Sequence, residues 1–303
     1  MPYPPRRPSP PKTEKLHPHA EDLDLESSLE IVRRLNAEDV LAARAVGKAA
    51  KAIVLAADAV AWAIAGGGRL IYVGAGTSGR LGVLDAAECP PTFGTSPSQV
   101  VGVIAGGARA LRRAVEGAED DAADGAAQLR KLRVGPRDVV CGITASARTP
   151  FVLGALAEAR RRKARTVLVC CARPPRGSPA VDVLALADTG PELVAGSTRL
   201  KAGTATKLIL NAISTTAMIR LGKVYRGRMV DLQSTNAKLR DRASRMISEL
   251  GAVPEAEATK LLARAKGHPR LAVAMALSGK PAAEASRLEK KAGLRALAST
   301  RRR

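Results

Sequence analysis

The chain predicts an α/β protein, a doubly wound parallel sheet flanked by helices, followed by a small C-terminal helical region. Three observations carry this expectation. The apolar runs in RLIYVGAG, QVVGVIAG, DVVCGITAS and RTVLVCCA are continuous rather than alternating, as in strands buried on both faces. Helical patterns stand between these runs, so strand and helix alternate as in a sheet of βαβ units. Beyond Lys201 the strand-like runs give way to amphipathic helical spacing.

The opening stretch MPYPPRRPSPPKTEK lacks the apolar core of a secretory signal and reads as a disordered Pro-rich arm over 1–24. His17 and His19 fall in that arm and are expected to be solvated rather than metal-bound. Over 25–65 the pattern is helical. Leu29, Ile31, Val32 and Leu35 recur at helix spacing, then Val54, Leu55, Val60 and Ile64, until Gly66-Gly67-Gly68 stops the run. RLIYVGAG is then the first strand, and SGRLGVLDAAEC a helix ending near Glu88, just before Pro90-Pro91. QVVGVIAG is the second strand, with a helix through ALRRAVEGAEDDAA. DVVCGITAS and TPFVLGALAEARRRK form the third strand–helix pair. RTVLVCCA and VDVLALAD complete five strands.

KAGTATKLILNAISTTAMIRLGKV is expected to be one long helix that packs on the sheet or on a partner chain. Shorter helices follow over 235–250, 254–266 and 271–277, with a last one from Ala282 after the break at Ser278-Gly279 and Pro281. The expected organisation is the arm at 1–24, the sheet domain with its N-terminal helices at 25–225, and a helical subdomain with a basic tail at 226–303.

Composition narrows the function. No run reaches the roughly 18–20 apolar residues of a bilayer span, so no membrane partner is expected. Cys89, Cys141, Cys170 and Cys171 make no C-x-x-C pair, which favours a reducing cytoplasm over disulfides or zinc. The net charge is +21 and the pI near 10.6. Aromatics at 2% leave few stacking platforms, and the basic residues are spread along the chain, so no specific nucleic acid is expected. Such a field attracts a small anion instead.

Three turns carry candidate chemistry. In GAGTSGR the spacing is Gly74-x-Gly76-x-x-Gly79, with Thr77 and Ser78 at the start of a helix. A dinucleotide fold would end its second strand on an acid for the ribose, whereas this one ends in glycines, so the turn reads as a holder for a smaller anion. The third strand ends in ITASARTP, bearing Thr144, Ser146, Arg148 and Thr149. GSTRLKAGT offers Ser197, Thr198, Arg199 and Lys201 before the long helix. Any one of these turns is explained by helix capping. Three together favour a phosphorylated ligand. Among the acids, Asp85 and Glu88 lie on the first sheet helix, and VEGAEDD holds Glu116, Glu119, Asp120 and Asp121. A carboxylate at a helix C-terminus opposes the dipole, which marks Glu88 as placed for function rather than stability. Two carboxylates over one pocket can divide acid and base work.

The blocks GRLIYVGAGTSGRLGVLDAAECPPTFG, VVGVIAGG, AVEGAEDD, GSTRLKAGTATKLILNAISTTAMIRLGKVY and VDLQSTNAKLRDRA closely resemble the N-acetylmuramic acid 6-phosphate etherase family, from about Thr13 to the C-terminal helices. The resemblance implies a sugar isomerase (SIS) fold with a small, ubiquitin-associated-like helical subdomain, a homodimer, and no metal or cofactor. The implied substrate is MurNAc 6-phosphate, whose lactyl ether is cleaved with water. On the family's pattern Glu88 takes the place of the acid that protonates departing lactate and activates water. Glu119 takes the place of the second catalytic acid, the base at C2. Thr77, Ser78, Ser146, Arg148, Thr149 and Ser197 are the candidates for holding the sugar phosphate. Lys201 is expected to meet the lactyl carboxylate or an enolate-like charge. This chain departs from the pattern where Thr13-Glu14 leads to His17 in place of asparagine, and where Ala147 replaces a glycine. The alternative is a non-catalytic sugar-phosphate-binding regulator of the SIS family. An aldose–ketose isomerase would share the fold but leaves the AECPPTFG block without a role.

Overall fold

A computed structural model describes residues 10–233 and 237–300. The first nine residues of the expected arm, the start of the helix expected at 235 and the basic tail at 301–303 lie outside the described residues. By contacts the chain divides into two compact units, Met1–Ala87 with Ser98–Ala217, and Glu88–Pro97 with Met218–Arg303.

The first unit is built on the expected sheet. Its strands are β1 (Leu70–Gly74), β2 (Val100–Ile104), β3 (Val139–Ile143), β4 (Arg165–Cys170) and β5 (Val183–Leu186), all parallel, in the order β2-β1-β3-β4-β5. This is a doubly wound order: the chain steps from β1 out to β2, then crosses back to β3 on the other side. The crevice beyond the C-terminal ends of β1 and β3 is therefore the switch point where such folds bind ligands.

Helices cover both faces. Ile71, Val73, Val140, Leu168 and Cys170 share one core with Leu129 of α4 (Ala122–Lys131) and Phe151, Val152 and Leu156 of α5 (Pro150–Arg161). Tyr72, one residue out of phase with Ile71 and Val73, points to the opposite face. There its hydroxyl donates to Asp85 on α3 (Gly76–Phe93) at 2.8 Å. The other oxygen of Asp85 accepts from Ser214 on α6 (Lys201–Arg220) at 3.2 Å.

The N-terminal helical stretch divides into α1 (Ser28–Lys48) and α2 (Ala50–Ala65). Ser27 caps α1 by accepting from the Glu30 N–H. Ahead of it, Lys12–Glu14 and Leu23–Leu25 each form a short 3₁₀ turn. His17 is not solvated as expected: its side chain is largely covered, with Nε2 3.3 Å from Glu38 Oε1.

Two helices differ from the sequence expectation. The helix foreseen through ALRRAVEGAEDDAA does not form as one. Short 3₁₀ turns at Gly107–Leu111 and Ala118–Asp120 precede α4, which begins only at Ala122. Gly117, inside that run, has a φ of 74°, which interrupts a right-handed helix. Asp121 then caps α4, accepting from Asp124 N at 2.8 Å. The second difference is α3, which runs through Pro90-Pro91 to Phe93. Both prolines lack the N–H for an i−4 bond, yet Gly94 N still donates to Pro90 O at 2.9 Å. Glu88 is thus more than a turn from the end of α3. The dipole penalty expected for it does not apply, because that effect fades within the last turn.

In the second unit, α7 (Ala237–Gly251), α8 (Glu255–Arg264), α9 (Pro269–Ser278) and α10 (Ala282–Thr300, interrupted at Gly293) pack around Met246, Ile247, Leu261, Val273 and Leu277. A small hairpin foreseen by no sequence pattern pairs β6 (Val224–Tyr225) with β7 (Arg228–Met229). Its turn residues Arg226 and Gly227 have φ of 49° and 73°, which suits a tight two-residue hairpin turn.

Candidate active site

The turn after β1 explains the glycine spacing. A Cβ on Gly79 would stand 2.6 Å from Ile104 Cγ1 and 2.7 Å from the Gly74 oxygen, and one on Gly74 would meet Gly79 N at 2.6 Å. The two glycines let the start of α3 lie directly on the strand end. Gly76 has open space around it but a φ of +52°. So Gly74 and Gly79 serve close approach, and Gly76 serves the turn itself. The result presents Thr77 and Ser78 in the first turn of α3, where backbone N–H groups have no intrahelical partner and the dipole is positive.

The turn after β3 meets the same crevice. Thr144 and Thr149 share a hydroxyl–hydroxyl hydrogen bond of 2.8 Å, and Arg148 N donates to Ser146 Oγ at 3.3 Å. Ala147 is buried with φ +58°, so the position does require the left-handed region where the family pattern has glycine. Its N–H still closes the turn onto Thr144 O. Pro150 opens α5 at its first position, leaving a second helix start at the crevice.

The position of Glu119 follows from how α4 meets α5. A Cβ on Gly154 would stand 2.1 Å from Ala122 O, and one on Gly125 2.0 Å from Phe151 O. The two helices therefore touch backbone to backbone at their N-terminal ends. The turn just before α4, carrying Glu119 and Asp120, is held beside the start of α5.

These segments enclose a cavity of about 360 Å³. Thr77, Ser78, Ser146, Arg148, Thr149 and Glu119, singled out in the sequence, all line it. Thr144, Asp120 and Thr198 join them. So do Thr13 and Glu14, which the sequence reading noted only as part of the family pattern and gave no role, because the arm before α1 carried no periodic signal. Hydroxyls, a guanidinium and two helix starts suit an anion, and the carboxylates of Glu119, Asp120 and Glu14 suit hydroxyl donors.

The other singled-out residues lie apart from this lining. Ser197 falls between Gly196 and Thr198, which do line the cavity. Lys201 is buried, its Nζ paired with Glu38. The backbone N–H groups of Lys201 and Ala202 donate to Glu192 at 3.0 Å each, so a carboxylate caps α6. Burial raises the Glu192 pKa against those two hydrogen bonds. Glu88 belongs to the second unit and is exposed on α3.

Residues 50–160 match the glucokinase regulatory protein N-terminal SIS domain family. Over 276 residues the chain is 50% identical to the N-acetylmuramic acid 6-phosphate etherase of Aeromonas hydrophila subsp. hydrophila, covering 90% of this chain and 92% of that one. The chain belongs to the N-acetylmuramic acid 6-phosphate etherase family. The likeness to the family's representative from Gloeothece citriformis is also 50%, over 263 residues, 87% of this chain and 86% of that one. Among solved structures, a phosphoheptose isomerase from Neisseria gonorrhoeae aligns over 65% of this chain and 100% of its own, with a TM-score of 0.47 and 17% identity. Among the described residues no helix is long and apolar enough to cross a membrane.

Proposed function

We propose that this chain cleaves the lactyl ether of N-acetylmuramic acid 6-phosphate with water, giving GlcNAc 6-phosphate and D-lactate. The 50% identity to a named etherase over 90% of the chain carries the reading. The anion-holding cavity with Glu119 in its wall supports it.

In this reading the phosphate is held by Thr77, Ser78, Ser146, Arg148 and Thr149, with Ser197 in the adjoining loop. The open-chain sugar has an aldehyde at C1, which acidifies the C2 proton. Glu119 removes that proton as base. On the family's pattern alone, Glu88 is the acid that protonates lactate as it leaves C3 and then activates the water that adds to the unsaturated intermediate. Elimination and hydration move only protons, lactate and water, so carboxylates suffice for every step.

The protein is expected to work as a homodimer. Leu29, Val32, Val54, Leu55 and Trp62 on α1 and α2 are exposed, Trp62 by 68%, and apolar side chains of this kind are what a second copy would cover. Light scattering at micromolar concentration tests this. A cytoplasmic location fits the four buried cysteines, none of which is in a disulfide.

The regulator reading is weaker. The regulatory-protein SIS match spans residues 50–160 alone, whereas the etherase likeness spans most of the chain. The deciding experiment is to incubate the protein with MurNAc 6-phosphate and assay D-lactate. No lactate at high protein concentration overturns the reading.

A further inference from the structure

The turn Lys12–Glu14 is fixed against the first unit by contacts on either side of it. Lys12 Nζ pairs with Asp188 at 2.8 Å, Gly196 N donates to Thr13 O at 3.3 Å, and His17 meets Glu38 at 3.3 Å. Thr13 is fully buried, yet its Oγ1 has no hydrogen-bond partner. A buried hydroxyl left unsatisfied is unfavourable, and such groups in folded proteins usually have a partner to find. Thr13 lines the cavity that holds the anion donors, and Glu14, next in the chain, lines it too with an exposed side chain.

Charge separates the ends of the ligand. Thr77, Ser78, Ser146, Arg148 and Thr149 are the donors a phosphate needs, and a carboxylate beside a phosphate is repulsive. Glu14 therefore belongs with the neutral part of the ligand, where hydroxyl and amide N–H groups donate. A threonine hydroxyl both donates and accepts, so Thr13 can serve an acceptor next to those donors.

Resting on the etherase reading, we infer that Thr13 and Glu14 are sugar-contacting residues. The Glu14 carboxylate accepts hydrogen bonds from sugar hydroxyl or acetamido N–H groups, and Thr13 Oγ1 bonds a neighbouring polar atom of the sugar. The turn then makes the cavity select a sugar phosphate over a bare anion.

The test is calorimetric titration of wild type, Thr13→Val and Glu14→Gln with GlcNAc 6-phosphate and, separately, with inorganic phosphate. Each substitution is expected to weaken the sugar phosphate by about 10- to 100-fold while changing phosphate affinity by less than about twofold. KM for MurNAc 6-phosphate rises in parallel. Unchanged sugar-phosphate binding overturns the inference. So does an equal loss for both ligands with a lowered Tm, which would make the turn a structural wall only. The two readings fail separately. A wild type that releases no lactate removes the etherase assignment, whereas an active wild type with unaffected variants removes only this one.

Discussion

Lys201 pairs with Glu38, and the second oxygen of Glu38 lies 3.3 Å from His17 Nε2. The lysine expected to meet the substrate thus joins the start of α6 to α1 and to the segment ahead of it. Lys201→Met leaves a largely covered Glu38 without its cation. The variant is expected to lose about 2–3 kcal/mol of stability, the usual loss for a broken buried pair discounted for the partial exposure of Glu38. Urea unfolding measures this. Turnover in the folded variant stays within a few-fold of wild type. A variant of normal stability with kcat down by orders of magnitude would return Lys201 to the substrate.

Glu88→Gln and Glu119→Gln are each expected to lower kcat for lactate release by about 10²- to 10⁴-fold, the usual contribution of an acid/base group. Both side chains are exposed, so thermal unfolding should scarcely move. Wild-type turnover in either variant would remove that residue from the mechanism.

Gly79→Ala and Gly76→Ala separate two kinds of glycine. At position 79 the new methyl meets Ile104 and the Gly74 backbone below 3.0 Å, so α3 must shift off β1. The expected loss is about 1–3 kcal/mol, together with a raised KM as Thr77 and Ser78 move. At position 76 there is room for a methyl, and only the positive φ opposes it, for about 1 kcal/mol. Equal effects at the two sites would contradict this account of the turn.

Asp85 makes stability depend on pH. Burial raises its pKa above the ordinary 3.8, opposed by the hydrogen bonds from Tyr72 and Ser214. A raised folded-state value means the folded protein holds the proton more tightly than the unfolded chain. This contribution is therefore fully present below the ordinary value and is lost as pH rises through the raised one. Asp85→Asn keeps an acceptor for Tyr72 but cannot ionise. Relative to wild type it should gain stability as pH rises through that window, seen as a converging or crossing pair of Tm-against-pH curves. Parallel curves would show that Asp85 does not titrate differently on folding.

Much of the fold could be read directly from the chain, because it rests on local pattern. Continuous apolar runs in RLIYV, VVGVI, VVCGI and TVLVC announced buried strands, and glycines and prolines marked most boundaries. The reading failed where local signals were overruled. Helical spacing through 110–123 yielded to a break at Gly117, which has positive φ, and α3 passed through two prolines that looked like a stop. The hairpin at Val224–Met229 was too short to show periodicity.

For the site, residue type and turn position were enough to nominate Thr77, Ser78, Ser146, Arg148, Thr149 and Glu119, because hydroxyls and cations beyond parallel strand ends have a chemical meaning of their own. Family likeness carried the etherase reading. Only tertiary packing decided that Thr13 and Glu14 join these residues and that Lys201 does not. Those outcomes depend on where an aperiodic N-terminal segment settles, and on whether a buried cation finds an acid on another helix. Contacts made across about 180 residues of chain leave no trace in local sequence pattern.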